Sequence, residues 1–170
     1  DQLLEAGASP DHADHSGCTP LMHAVQAADK HLIDRLLKAS PELNRRNQTG
    51  ETALLLAVKE GHTTLARQLI AAGAEVDLAD QAGLTPLMVA IEASKIGIVV
   101  SLLEAGANPE QKDMRGRSAL DRPVASLRIR RLLHQAADIS PNGQQGADGG
   151  SSRLADFLQH FVVGRRLLSK

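Results

Sequence analysis

Apolar residues fall along this chain in short paired runs, and the pairs recur. Leu87, Ala90 and Ile91 stand at i, i+3 and i+4; after a polar break near Ser94, Ile98, Val99, Leu102 and Leu103 make a second stripe. Each stripe has the period of one helix face. The doublet of the second stripe returns as Leu36-Leu37, Leu69-Ile70, Leu102-Leu103 and Leu132-Leu133. The pattern predicts units of two short helices, each unit too thin to bury its apolar face alone.

The punctuation between the stripes is equally regular. The phrases GCTPL, GETAL, GLTPL and GRSAL begin at Gly17, Gly50, Gly83 and Gly116, 33 residues apart each time. Thr85 suits a helix N-cap, because its hydroxyl can accept from the first unpaired backbone N–H groups. Pro86 follows at the first helical position, where a missing N–H costs little. Gly7, Gly73 and Gly106 supply left-handed stops after the second helices, and Ser40 stands in once. A non-glycine residue resists positive φ, so the end after Ala39 is expected to be looser by a few tenths of a kcal/mol or more. A helix-pair unit repeated at a period of 33 predicts an all-α solenoid.

Gly17-Cys18-Thr19-Pro20-Leu21, Gly83-Leu84-Thr85-Pro86-Leu87, Gly61-His62 and the LLEAGA blocks at 3–8 and 102–107 resemble the ankyrin repeat over roughly residues 1–137. The expected organisation is a partial first repeat at 1–10, units at about 14–44, 47–77 and 80–110, and a shortened capping unit at 113–137. Residues 1–8 read as the tail of a repeat whose first helix lies upstream, as in a fragment, or as a divergent cap. In the last unit Leu120 and Leu132 are 12 residues apart, against 15 for Leu87 and Leu102. Pro123 falls early in its short first helix, and Arg128, Arg130 and Arg131 make its second helix polar, as a terminal unit facing water requires. The chain departs from the family where Met22, Leu55 and Met88 replace the histidine of the T-P-L-H phrase, so apolar packing is expected in place of that histidine's hydrogen bonds. Ala28 and Ser94 also replace the glycine between the helices, which Gly61 keeps.

Composition narrows the picture. In 170 residues, apolar side chains make up 42% and aromatics 1%, the latter being Phe157 and Phe161. The core must therefore be Leu, Ala, Val and Ile. A net charge of −1 gives no global attraction to nucleic acid or anionic lipid. Cys18 is the single cysteine, so there is no disulfide framework. A reducing compartment, the cytoplasm, is expected. No apolar run is long enough to span a membrane, and no signal peptide is visible. Because the chain opens with Asp1 rather than Met, an upstream segment is expected, and a secreted bacterial effector stays open as an alternative.

Residues 138–152, DISPNGQQGADGGSS, have the composition of a flexible linker. Residues 153–170 then place Leu154, Phe157, Leu158, Phe161 and Val162 on one stripe, predicting a C-terminal amphipathic helix. That helix could cap the last unit, dock a partner or occupy the groove of its own stack. A fifteen-residue flexible linker spans roughly 20–23 Å, enough for the last option.

Candidate chemistry is thin. His12, His15, Cys18 and His23 cluster in sequence without a dedicated zinc pattern. His12 and His15 are expected on an exposed hairpin and His23 on the inward face of the first helix. Cys18, at the start of a helix, could carry a lowered pKa. An enzyme or metal protein built on Cys18 and these histidines is the weaker alternative. No phosphate loop or carboxylate pair appears, so no catalytic residue, metal or cofactor is expected.

The resemblance to ankyrin repeats implies a non-enzymatic module that binds another protein through a concave surface of hairpin tips and first helices. Carried over by position, that surface comprises His15, Ser16, Cys18 and Gln26 in the first unit, and Gln48, Thr49, Glu51, Lys59 and Glu60 in the second. The third gives Gln81, Leu84 and Glu92, and the fourth Met114, Arg115 and Arg117. Leu84 and Met114 are the apolar anchors, and Arg115 and Arg117 suit an acidic partner. The alternative is a regulatory or inhibitory protein whose C-terminal helix fills the groove until a partner displaces it.

Overall fold

The computed structural model describes residues 9–123 and 127–139. Among them are seven helices and no strand: α1 (Pro20–Gln26), α2 (Lys30–Lys38), α3 (Ala53–Lys59), α4 (Thr63–Ala71), α5 (Pro86–Glu92), α6 (Ile96–Glu104) and α7 (Leu127–Ile139). They pair as α1 with α2, α3 with α4 and α5 with α6. The first helices stack α1 on α3 on α5, while α4 packs on α6 and α6 on α7. This is an all-α solenoid. The stripe of the C-terminal amphipathic helix (Leu154, Phe157, Leu158, Phe161 and Val162) lies outside the described residues.

Each first helix starts at a threonine cap. Thr19, Thr52 and Thr85 accept through Oγ1 from the backbone N–H of Met22, Leu55 and Met88 at 3.2–3.3 Å. Pro20 and Pro86 open α1 and α5. Leu54, Leu55, Ala57, Val58, Leu87, Met88 and Ala90 are all 0% exposed, so the first helices are sealed between neighbours. Met22, Leu55 and Met88, at the positions of the missing histidine, are all buried in apolar packing. Of the second helices, α2 and α4 bury one side, with Leu36 and Leu69 in the core and Leu37 and Ile70 packed at its edge, whereas α6 is buried from Ile98 to Leu103, both residues of its doublet included.

Between the two helices of each unit the chain turns through a left-handed residue. Gly61 takes φ 76°, and Ala28 and Ser94 take the same turn at φ 52°. Ser40, replacing the stop glycine, is also at φ 52°. Before the first helices, Gly50 and Gly83 have a stricter role. They have φ of 80° and 78°, and a Cβ on them would stand 2.8 Å from the backbone N of Gln81 and Met114. Gly116 has the same φ region at 72° but nothing within 4 Å of such a Cβ.

The fourth unit differs from expectation. Residues 119–122 form bends and turns rather than a short first helix. Pro123 cannot donate to a helical ladder and restricts the residue before it, so it stops a helix this early. α7 also runs on to Ile139, taking in the first two residues of the expected linker. Ile129, Leu132, Leu133 and Ala136 face inward and join the core.

These geometries set two outcomes. Gly116→Ala is expected to cost the strain of a left-handed residue, about 1–2 kcal/mol, and Gly83→Ala clearly more, because it also drives a Cβ into the next hairpin. Ser94→Gly is expected to stabilise the stack by up to about 1 kcal/mol by relieving that strain. Urea unfolding of the three variants measures all of this.

Candidate functional site

The hairpins are built by one repeated device. Asp14 Oδ1 accepts from the backbone N–H of Ser16 and Cys18 at 2.8 and 2.9 Å. Asn47 does the same for Thr49 and Glu51, Asp80 for Ala82 and Leu84, and Asp113 for Arg115 and Arg117, all at 2.8–3.0 Å. A short side-chain acceptor two residues before the amide it holds is the basis of an Asx turn.

Neighbouring tips then join. Gln48 N–H donates to Ser16 O at 2.9 Å, Gln81 N–H to Thr49 O at 3.1 Å, and Met114 N–H to Ala82 O at 3.1 Å. Gln48 and Gln81 add side-chain bonds, donating through Nε2 to His15 O at 2.7 Å and Gln48 O at 2.6 Å. Behind the tips, Asp11, Asn44 and Asp77 each accept from a backbone N–H 31 residues on, in Glu42, Glu75 and Asn108, at 2.8–2.9 Å.

The second oxygen or nitrogen of the turn residue faces the first helices, and here the units diverge. Asp14 Oδ2 lies 2.8 Å from His23 Nε2. Asn47 Nδ2 donates to Glu51 Oε2 at 2.9 Å. Lys59 Nζ bridges Glu51 Oε1 at 2.6 Å and Asp80 Oδ2 at 3.2 Å, joining the second tip to the third. Asp113 Oδ2 accepts from Arg122 Nη2 at 2.6 Å, and Arg122 Nη1 pairs with Glu92. The Arg122 side chain is 1% exposed, with Met88 Sδ against Nη2.

These contacts set the charges. Hydrogen bonds from Ser16, His23 and Cys18 hold Asp14 far below the usual carboxylate range. The Arg117 backbone N–H, opposed in part by burial, holds Asp113 low, with help from the Arg115 N–H and the charge of Arg122. Burial works against the ionised forms of Glu51 and Lys59, but their mutual bond and the contacts of Asn47, Thr49 and Asp80 win. Glu51 is held low and Lys59 high. Asp77 goes the other way, pushed up by burial against the single pull of the Asn108 N–H.

The structure places the residues of the expected binding surface unevenly. His15, Ser16, Gln26, Gln48, Thr49, Lys59, Glu60, Gln81, Glu92, Met114, Arg115 and Arg117 are exposed. Gln48, Thr49, Gln81, Lys59 and Glu92 are nevertheless engaged in the bonds that hold tips and helices together. Glu51 is half-buried in the Lys59 bridge. Leu84 is half-buried against the core rather than presented as an anchor. Two expectations are corrected. Cys18 is 7% exposed and belongs to the core, because the turn tucks its side chain behind the tip. His23 is on the exposed side of α1, its side chain 55% accessible, drawn there by Asp14.

The polar residues that organise this face (Asp14, Asn47, Asp80 and Asp113) lie three positions before each repeated glycine, so the signal was the period itself. Asp14, Cys18 and His23 come together, their ligand-type atoms all within 4.8 Å of one another. His12 is exposed outside that group. No helix among the described residues is long and apolar enough to cross a membrane.

Residues 1–80, 21–113 and 54–143 each match the family model described as ankyrin repeats (3 copies). No curated protein matches the chain.

Two carboxylates of opposite shift give opposite pH behaviour. Asp77 is raised by burial, so its ionised form costs stability at neutral pH. Asp77→Asn, which copies Asn44 one unit earlier, is expected to stabilise at pH 7. The gain should vanish below about pH 4, where the wild-type acid is protonated folded and unfolded. Glu51 is lowered, so its stabilisation exists above the ordinary glutamate range and is lost as pH falls through its folded value. Glu51→Gln is therefore expected to destabilise at pH 7, with the deficit shrinking in acid. Thermal melts from pH 3 to 7 read both.

Proposed function

The chain belongs to the ankyrin-repeat family, and we propose that it holds a partner protein on its tip-and-first-helix face and catalyses nothing. Ankyrin repeats are generally protein–protein interaction modules and typically non-enzymatic. The finer reading concerns where the partner sits. Most exposed polar residues of the first three tips are engaged in tip-to-tip and tip-to-helix bonds. The fourth tip is different.

The observation that carries the reading is Met114, an apolar side chain 80% exposed at that tip. Arg115 and Arg117 flank it, both exposed. Arg117 reaches Asp113 only at 3.5 Å. A flexible thioether beside two guanidinium groups suits a partner segment that offers an apolar side chain among carboxylates. The partner is a protein: a net charge of −1 argues against nucleic acid. The single buried thiol suits the reducing interior of a cell, and we place the protein in the cytoplasm on that ground.

Replacing Met114, Arg115 and Arg117 with alanine is expected to weaken partner binding by about 30-fold or more, the roughly 2 kcal/mol of a hot-spot cluster, with the thermal midpoint nearly unchanged. Leu84 is left intact, since its burial would confuse folding with binding. Equal partner affinity in the triple variant and the wild type would overturn the assignment of this tip.

A further inference from the structure

The four hairpins hold different chemistry on one scaffold. The turn acceptor is Asp14, Asn47, Asp80 or Asp113. Four residues on stand Cys18, Glu51, Leu84 and Arg117, and nine residues on stand His23, Leu56, Val89 and Arg122. The second and third units set apolar residues, Leu56 and Val89, at the last of these positions. The fourth sets a buried arginine there, paired to its own turn aspartate. The first unit sets a carboxylate, a thiol and an imidazole at the same three positions, and their ligand-type atoms all lie within 4.8 Å of one another.

We propose that Asp14, Cys18 and His23 form a binding site for a zinc-class divalent cation, with a fourth position open to solvent. Mixed oxygen, sulfur and nitrogen donors fit such a borderline ion, whereas magnesium and calcium take oxygen alone. The site is pre-set on its oxygen side. Asp14 Oδ1 is pinned by Ser16 N, Ser16 Oγ and Cys18 N at 2.7–2.9 Å, which aims Oδ2 at His23. The sulfur side has its own support from the next unit. Asn47 Nδ2 lies 3.8 Å from Cys18 Sγ, a donor that a thiolate accepts better than a thiol does.

Access is divided in a useful way. Cys18 is buried, while the side chains of His23 and Asp14 are 55% and 42% exposed. The cation therefore enters from the face of the tips, and a water completes its shell there. Closing onto bond lengths of about 2.0–2.3 Å asks the side chains for adjustments on the order of 1 Å. The ion takes the thiolate and the neutral imidazole, so binding releases the thiol proton to solvent.

The other units supply folding-compatible replacements for every ligand: Asp14→Asn copies Asn47, Cys18→Leu copies Leu84 and His23→Leu copies Leu56. The test uses the full chain, kept reduced, titrated with Co²⁺ and then Zn²⁺. The expected result is a near-ultraviolet thiolate-to-cobalt charge-transfer band at one equivalent, bleached by Zn²⁺. Cys18→Leu should abolish the band, and each single variant should weaken Zn²⁺ binding by about 10–100-fold or more, at least the loss that follows removal of an outer-shell partner. Thermal melts without metal check that each variant is folded. If any variant fails to fold, the wild-type cobalt spectrum alone decides. No thiolate band, or Zn²⁺ affinity unchanged in Cys18→Leu and His23→Leu, overturns the site.

Discussion

Where Gly83 meets Met114, a Cβ would stand 2.8 Å from a backbone nitrogen, and the two hairpins could not close. The same approach recurs where Gly50 meets Gln81. That contact fixes the spacing of the units, and the spacing fixes the rest. It lets each tip donate one backbone N–H to the tip before it. It sets the first helices close enough that Leu54, Leu55, Leu87 and Met88 lose all contact with water. Such burial is worth about 1.5–3 kcal/mol for each large side chain, but no unit can collect it alone. A period that slipped by one residue would place a side chain where the glycine is needed.

The periodic device also separates scaffold from function. In every hairpin Oδ1 of the turn residue is spent on the backbone. The other terminal atom is free to differ, and it does: an imidazole contact in the first unit, an amide and lysine bridge in the second and third, a buried arginine in the fourth. The face of the tips is therefore a row of equivalent positions with unequal chemistry. The fourth unit is the most divergent. Its first helix is gone, and Arg122 anchors its turn to Glu92 of the unit before it. Among the described residues no further tip packs on Met114 and its neighbouring arginines, which are exposed.

Much of this was legible in the sequence because it is local. The threonine caps, the helix-opening prolines, the left-handed positions and the apolar doublets follow from rules that span a few residues, and repetition multiplied their weight. Ala28 and Ser94 could be placed in left-handed turns because Gly61 holds the same position. What escaped depends on distant partners. Leu84 looked like an anchor, and Cys18 like surface, because sequence position alone does not say which side of a tip a side chain takes. His23 turned outward because Asp14, nine residues before it, offers an acceptor. Asp11, Asn44 and Asp77 escaped as well, although their 33-residue spacing carried the signal of a structural role.

The central claim is that the hairpin tips form one hydrogen-bonded ladder rather than independent loops. Residue-resolved amide hydrogen exchange tests it most directly. Gln48, Gln81 and Met114 should be protected to nearly the extent of the first-helix amides, while the N–H of Thr64, at the exposed start of α4, exchanges quickly. If those three amides exchange as fast as Thr64, the tips are separate loops, and the account of how this stack holds its binding face is wrong.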